Sequence, residues 1–360
     1  MIARALVYCE NEFGKIDGKV ANGLARHSEK YDIQGIIDST KAGLDAGEHL
    51  DGIKNAIPIF KNIDDAIEKL GFVPEYFIYG IAALAAFLDK EQRDVIFAAM
   101  KTGMNIVNGL PEFLTEDEEF IRKAVEYRVH IYDMRKAPPR KYLHNFTGRI
   151  HEVKTPVIAV LGTDCAVGKR TTALSLVEAL KRAGLNAVFI ATGQTGLLQG
   201  AKYGIAVDVL TSGFATGEVE SAIINAYEKE KPDIIIVEGQ GALSHPAYTS
   251  SSAIVRGALP NAIILQHPPQ RINHCDYPDI PMPTLESEIK LIELFSKSKV
   301  IAITLNHEDM TYAEIKDKIV EYESKYERPT TDVLKFGCDK LVNTLIEVFP
   351  ELQKTNSSLC

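Results

Sequence analysis

The sequence predicts an α/β protein of two domains, a Rossmann-like parallel sheet followed by a P-loop NTPase-like parallel sheet. Three observations carry this. The 360 residues exceed what one ordinary core holds. Short apolar, β-rich runs alternate with helical stretches along both halves, the pattern of parallel strands covered on both faces. The stretch IAVLGTDCAVGKRTTAL (Ile158–Leu174) joins an apolar strand to a helix through a loop with phosphate-binding character.

In the first half, ARALVYC (Ala3–Cys9) and YDIQGIIDS (Tyr31–Ser39) read as buried strands. IPIF, EYFIYGI (Glu75–Ile81), MNIVNGL (Met104–Leu110) and VHIYDMR read as four more. NIDDAIEKLG and LTEDEEFIRKAVEYR supply amphipathic helices between them, the second with Thr115 and Glu118 at capping-box spacing. Strand-end residues such as Asp38, Ser39 and Asn108 are then expected at the carboxyl edge of the sheet. The pattern breaks at APPRKYLHNFTGRIHEVKT, where paired prolines and a basic, unpatterned run suggest a connection. Alternation resumes with PVIAVLG, NAVFIAT, DIIIVEG, NAIILQH and KVIAITLN. The expected domains are therefore 1–137 and 155–352, joined by a linker over 138–154 and followed by a polar tail, 353–360.

Composition narrows the function. A formal net charge of -9 argues against a dedicated nucleic-acid binder. The longest apolar run, Phe77–Leu88, is too short to cross a bilayer, and the N-terminus turns polar too early for a signal peptide. Five scattered cysteines form no CxxC pair. A cytoplasmic protein is expected, without a membrane or nucleic-acid partner.

The glycine loop carries the chemistry. Backbone N–H groups and the positive end of the following helix converge on an anion in such a turn. Gly168 permits close approach and Lys169 adds a point charge. Gly162 lies six residues before Gly168, one more than in the strict pattern, and Asp164 stands in place of the usual first glycine. The loop resembles that of dethiobiotin synthetases. Gly162, Thr163, Asp164, Cys165, Ala166, Val167, Gly168, Lys169, Arg170 and Thr171 are the expected cofactor-binding residues. In a standard loop the hydroxyl after the lysine ligates Mg²⁺. Here that residue is Arg170, and Thr171 lies about 100° further round the helix. The substitution favours gripping a phosphate over cleaving one.

Other strand ends add candidates. Glu238 closes DIIIVEG, where a general base or metal-holding carboxylate is expected. His245 and Tyr248 follow in GQGALSHPAY, while LQHPPQRINHCDY contributes His267, Arg271, His274 and Asp276. Arg271 suits a bidentate grip on a carboxylate or phosphate. Thr192 and Gln194 in FIATGQTGLLQG are substrate-binding candidates, with Tyr248 and His267. Asn306, which ends AITLN, is placed to read an adenine edge. No HExxH or other zinc spacing occurs, so no metal site is expected.

GTDCAVGKRTTA, VEGQGALSHPAY and LQHPP, with GLPEFLTEDEEF and YDMRKAPP, together resemble one family almost end to end. It is a family long called a domain of unknown function, with a Rossmann-like N-terminal half and a P-loop C-terminal half. Some of its members are D-glutamate N-acetyltransferases. The resemblance implies acetyl-CoA as donor and a small acidic amino acid, D-glutamate first, as acceptor. Glu238 or His245 would then deprotonate the acceptor amine, Arg271 would hold its carboxylate, and Asn306 would meet the adenine. Two other readings stand beside it: an ATP- and Mg²⁺-dependent ligase or kinase acting on a small carboxylate, and a non-catalytic nucleotide sensor. A homo-oligomer is expected, of an order that no sequence feature fixes.

Overall fold

In the computed structural model the described residues are 2–82 and 87–353. Residues 354–360 of the expected tail and the middle of the Phe77–Leu88 run lie outside them. The chain divides into two units. One holds the residues up to Ala137 together with Gln194–Ala201; the other holds Pro138–Gly193 and the residues from Lys202 onward.

Six strands build the first unit: β1 (Ala3–Tyr8), β2 (Tyr31–Ile37), β3 (Ile59–Phe60), β4 (Tyr76–Tyr79), β5 (Asn105–Asn108) and β6 (Ile131–Asp133). They pair in parallel in the order β3-β2-β1-β4-β5-β6, the Rossmann order. Leu6, Val7, Ile36, Phe77, Ile78, Ile106 and Val107 are fully buried, because a sheet covered on both faces hides every side chain of its central strands. The helix Gln194–Gln199, remote in sequence, completes this unit. Leu198 lies in its core, and Gln199 Nε2 donates to the carbonyls of Gly23 (2.8 Å) and His27 (3.0 Å).

The expected capping box of Thr115 and Glu118 does not form. The helix runs Glu118–Tyr127 with Asp117 as its cap, accepting from the amides of Glu119 and Phe120. Thr115 instead donates its hydroxyl to Asp133 at 2.6 Å, so a tertiary carboxylate outcompetes the local cap.

The second unit carries β7 (Val157–Gly162), β8 (Ala187–Ala191), β9 (Tyr203–Gly204), β10 (Ile234–Glu238), β11 (Ala262–His267), β14 (Lys299–Leu305) and β15 (Thr330–Thr331), with a small antiparallel hairpin of β12 (Asn273–His274) and β13 (Tyr277–Pro281). The main sheet is parallel in the order β15-β14-β11-β7-β10-β8-β9. β7 is central, between β11 and β10, so the loop after it opens where neighbouring strand ends converge. Among the described residues no helix is long and apolar enough to cross a membrane.

The stretch expected as a plain linker is docked onto the second unit. Buried Glu220, on the helix Ser212–Glu230, accepts from the Thr147 amide (2.7 Å) and hydroxyl (2.9 Å) and from the Ile150 amide (3.1 Å). Gly217 on the same helix lets the chain pass: a Cβ there would lie 2.2 Å from the His144 carbonyl oxygen. Glu220→Ala leaves the buried Ile150 amide without its acceptor, and urea denaturation is expected to show a loss of about 1–3 kcal/mol.

Candidate functional site

The loop Thr163–Gly168 begins where β7 ends and closes on the helix Lys169–Arg182. Two backbone positions shape it: Ala166 at φ 50° and Gly168 at φ 102°, the latter in the left-handed region that glycine occupies freely. A Cβ on Gly162 would lie 2.9 Å from the side chains of both Lys169 and Val167, so the strand end must be glycine for the lysine to fold over it. Lys169 is buried, its Nζ donating to the Asp164 carbonyl, and burial pushes its ammonium down from the ordinary lysine range. The loop thus sets a desolvated cation beside the N-terminus of a helix, the arrangement that suits an anion.

Thr163 points back into the sheet rather than into the cradle. Its amide donates to the Gln266 carbonyl at 3.1 Å and its hydroxyl pairs with His267 Nδ1 at 2.8 Å. Burial, with the Arg271 charge adding to it, pushes His267 down to about 4, which favours the neutral ring at physiological pH. Thr172, two residues past Arg170, donates its hydroxyl to the Gln266 side chain, which also accepts from Thr304. Thr171 is half-buried at the next helical position.

Asp164 is the hub. It is fully buried, and its Oδ1 accepts from His274 Nδ1 at 2.7 Å. Its Oδ2 accepts from Arg271 Nη1 at 2.9 Å and the Cys275 amide at 2.8 Å. Burial works against the carboxylate, but hydrogen bonds led by those of His274 and the Cys275 amide hold it below the usual carboxylate range. Asp164 thus fastens the loop to the β12 segment.

The reading of Arg271 as a free carboxylate clamp is corrected here. Its Nε and Nη2 form a fork onto Glu308 at 2.7 and 2.6 Å, and Nη1 bonds both Asp164 and the Cys165 carbonyl (2.8 Å). With its donors engaged and its side chain 7% exposed, it braces the glycine loop. Asn306 behaves as a turn residue: its amide donates to the His267 carbonyl and its Oδ1 accepts from the Glu308 amide.

Glu238 closes β10, buried, with Oε2 accepting from the Thr192 amide at 3.0 Å. Thr192 returns a hydroxyl bond to the Glu238 carbonyl and accepts from Gln240 Nε2. Burial pushes the Glu238 carboxyl up, and the charge of Arg170 is the strongest influence opposing it. The residue that replaces the usual metal-ligating hydroxyl is therefore a cation acting on the strand-end carboxylate. Gln194 begins the helix that belongs to the first unit.

His245 and Tyr248 lie on the loop after β10. Glu288, on the helix Leu285–Ser296, holds that loop by accepting from the Leu243 and Ser244 amides and the Ser244 hydroxyl. The His245 ring stacks on Tyr248 (centroids 4.5 Å apart) and meets the His274 ring edge-on at 4.4 Å. Tyr248 donates its hydroxyl to Asp276 at 3.0 Å. His245 Nδ1 accepts from the Ala247 amide at 3.2 Å. Its Nε2 is buried without a hydrogen-bond partner, 3.6 Å from Asp164 Oδ1. Although no zinc spacing exists in the sequence, the fold gathers Asp164, His245 and His274 so that one ligand atom of each lies within 4.8 Å of the others.

Of the candidates, the glycine loop, Arg271, His245, Tyr248, His267 and His274 converge on one corner of the second unit. Glu308, Cys275 and Gln266 were not singled out from the sequence. Each is a lone polar residue at a strand end or loop, with no local pattern to mark it.

Comparison with known proteins agrees with this architecture. Residues 144–342 match the family described as a domain of unknown function (DUF1611_C), a P-loop domain. Residues 39–137 match its Rossmann-like counterpart, DUF1611_N. A D-glutamate N-acetyltransferase of Pseudoalteromonas sp. is 31% identical over 284 residues, spanning 77% of this chain and 82% of that protein. One of Tritonibacter scottomollicae is 28% identical over 277 residues, spanning 75% and 81%. The crystal structure of a DUF1611 family protein from Anabaena variabilis superposes with a TM-score of 0.87 at 29% identity, covering 96% of this chain and 99% of that one.

Proposed function

This chain belongs to the DUF1611 family, and from that premise we propose that it is an N-acetyltransferase moving an acetyl group from acetyl-CoA to the amine of a small acidic amino acid, D-glutamate first among them. The observation that carries this reading is Arg170. A guanidinium stands where a phosphate-cleaving loop holds its Mg²⁺ ligand, and its charge acts on Glu238, the carboxylate at the end of β10. Such a loop holds phosphate groups with protein cations alone. Coenzyme A offers phosphates to grip and asks for none to be cleaved. The two relatives named D-glutamate N-acetyltransferase support the donor and acceptor chosen.

Bound acetyl-CoA supplies an activated thioester carbonyl, and the chain's residues do the rest. Lys169 and the helix start hold phosphate. Glu238 accepts the proton that the acceptor ammonium must lose, since only the neutral amine attacks a thioester. Its burial raises its basicity toward that task. Loop N–H groups are suited to the tetrahedral oxyanion.

Two measurements test the reading. Acetyl-CoA and CoA are expected to raise Tm, by an amount that grows with ligand concentration and does not change with EDTA. Thiol release from acetyl-CoA is expected with D-glutamate above its rate with L-glutamate or with no acceptor. Mg²⁺-dependent ADP formation stimulated by a small acid, with no thiol release, would replace this reading with the ligase or kinase.

A further inference from the structure

We propose that Asp164, His245 and His274 form a binding site for a zinc-class divalent cation, beside the phosphate cradle and separate from any Mg²⁺ that a nucleotide would bring. The three side chains are buried, and one ligand atom of each lies within 4.8 Å of the others. Bonds of about 2.0–2.1 Å at tetrahedral angles set ligand atoms roughly 3.3–3.5 Å apart. Asp164 Oδ1 and His245 Nε2 lie 3.6 Å apart, just beyond that spacing. Asp164 Oδ1 and His274 Nδ1 lie 2.7 Å apart, a hydrogen bond that opens by roughly 0.6–0.8 Å to admit the ion.

A second observation points to the same ligand. His245 Nε2 is a buried polar atom without a hydrogen-bond partner, in a residue 6% exposed, and it faces Asp164 Oδ1 at 3.6 Å. Buried ring nitrogens ordinarily find a partner, and an ion between these three groups supplies one.

The surroundings hold the ligands in place. The other oxygen of Asp164 is fixed by Arg271 and the Cys275 amide, which leaves Oδ1 directed at the histidines. Glu308 neutralises Arg271 through a two-pronged bond, so Asp164 keeps its charge for the ion. Tyr248 stacks on the His245 ring and is itself tied to Asp276. Two nitrogens and one oxygen suit zinc or cobalt; Mg²⁺ prefers an all-oxygen shell. Three protein ligands leave a fourth position open to an oxygen donor, the arrangement of a working site rather than a closed structural one. If the acetyltransferase reading holds, an acceptor carboxylate can take that position, a contact that Arg271, committed to Glu308 and Asp164, does not offer. Metal binding itself does not depend on that reading.

Binding asks for two local changes. A metal on His274 Nδ1 moves that ring's proton to Nε2. A metal on His245 Nε2 puts the proton on Nδ1, so the Ala247 amide, now 3.2 Å away, must turn aside.

The full-length chain, stripped with EDTA, is titrated with Zn²⁺ by calorimetry and with Co²⁺ by visible absorption, with no substrate present. One equivalent per chain and the d–d bands of a four-coordinate cobalt site are expected. His245→Phe keeps the aromatic stack and His274→Phe removes the second nitrogen. Each is expected to weaken Zn²⁺ by at least about 100-fold, the upper end of what losing an outer partner costs, with circular dichroism confirming the fold. No stoichiometric binding by the wild-type chain overturns the proposal. So does undiminished binding by either folded variant, or a sulfur-to-cobalt charge-transfer band that places the ion on Cys165 or Cys275. Should both variants fail to fold, wild-type stoichiometry and the cobalt spectrum decide. Metal binding without thiol release would leave this site standing and remove the acetyltransferase, and the reverse result would do the opposite.

Discussion

Glu238→Gln is expected to lower kcat by about 10²–10⁴-fold, the range a positioned general base supplies, while Tm at neutral pH holds or rises. The two effects share one cause. Burial disfavours the ionised Glu238 carboxyl and raises its proton affinity, with the Arg170 charge and the Thr192 amide only partly offsetting this. A carboxyl whose folded-state pKa is raised gives stability that is complete below the unfolded pKa and fades as pH rises through the folded one. Glutamine has no such dependence, so the stability difference moves in the variant's favour with increasing pH. The wild-type rate has the complementary profile: its acid limb lies above the ordinary carboxylate range, because the base must ionise to work. Stopped thiol-release assays and thermal melts across pH check both halves. A variant that keeps full kcat would remove Glu238 from the chemistry and leave it a purely structural strand end.

Under the proposed function, Lys169→Ala is expected to weaken CoA and acetyl-CoA by roughly 10–150-fold, the equivalent of about 1.5–3 kcal/mol for hydrogen bonds to a charged group. The fold is expected to survive, since the lost side chain is a desolvated cation whose Nζ donates to the Asp164 carbonyl. Calorimetric titration reads the affinity, and the ligand-induced rise in Tm falls with it. The loss shows in KM for acetyl-CoA more than in kcat, because the grip on the phosphates is equal in ground and transition states. A collapse of kcat at saturating acetyl-CoA would instead place Lys169 at the reacting carbonyl.

The sheets were readable because buried parallel strands are near-continuous apolar runs, as β7, β10 and β11 are. β9 and β15, each two residues long, have no period to detect. The glycine loop was readable from Gly162, Gly168 and Lys169, since each meets a local backbone demand. What Asp164 and Arg271 do was not. Their bond joins residues 107 apart in sequence, and Glu308 enters from a third loop. Arg271 advertises a charge, but only folding shows that the charge is already spoken for. Thr115 fails in the same way: a cap motif is a local offer, and Asp133 made a better one. The Asp164, His245 and His274 cluster escaped because its members come from two separate loops and the β12 strand, with none of the fixed spacings by which ligands on one element announce themselves.

The helix Gln194–Gln199 ties the two halves together in time. It is encoded inside the second unit but finishes the first, placing Leu198 in its core and Gln199 against Gly23 and His27. On the ribosome the Rossmann-like half therefore emerges without one of its own pieces. Its last contacts form only after the phosphate loop and β8 have been made. A single cut at Ala137 therefore parts the first unit from Leu198 and Gln199, two residues that complete it.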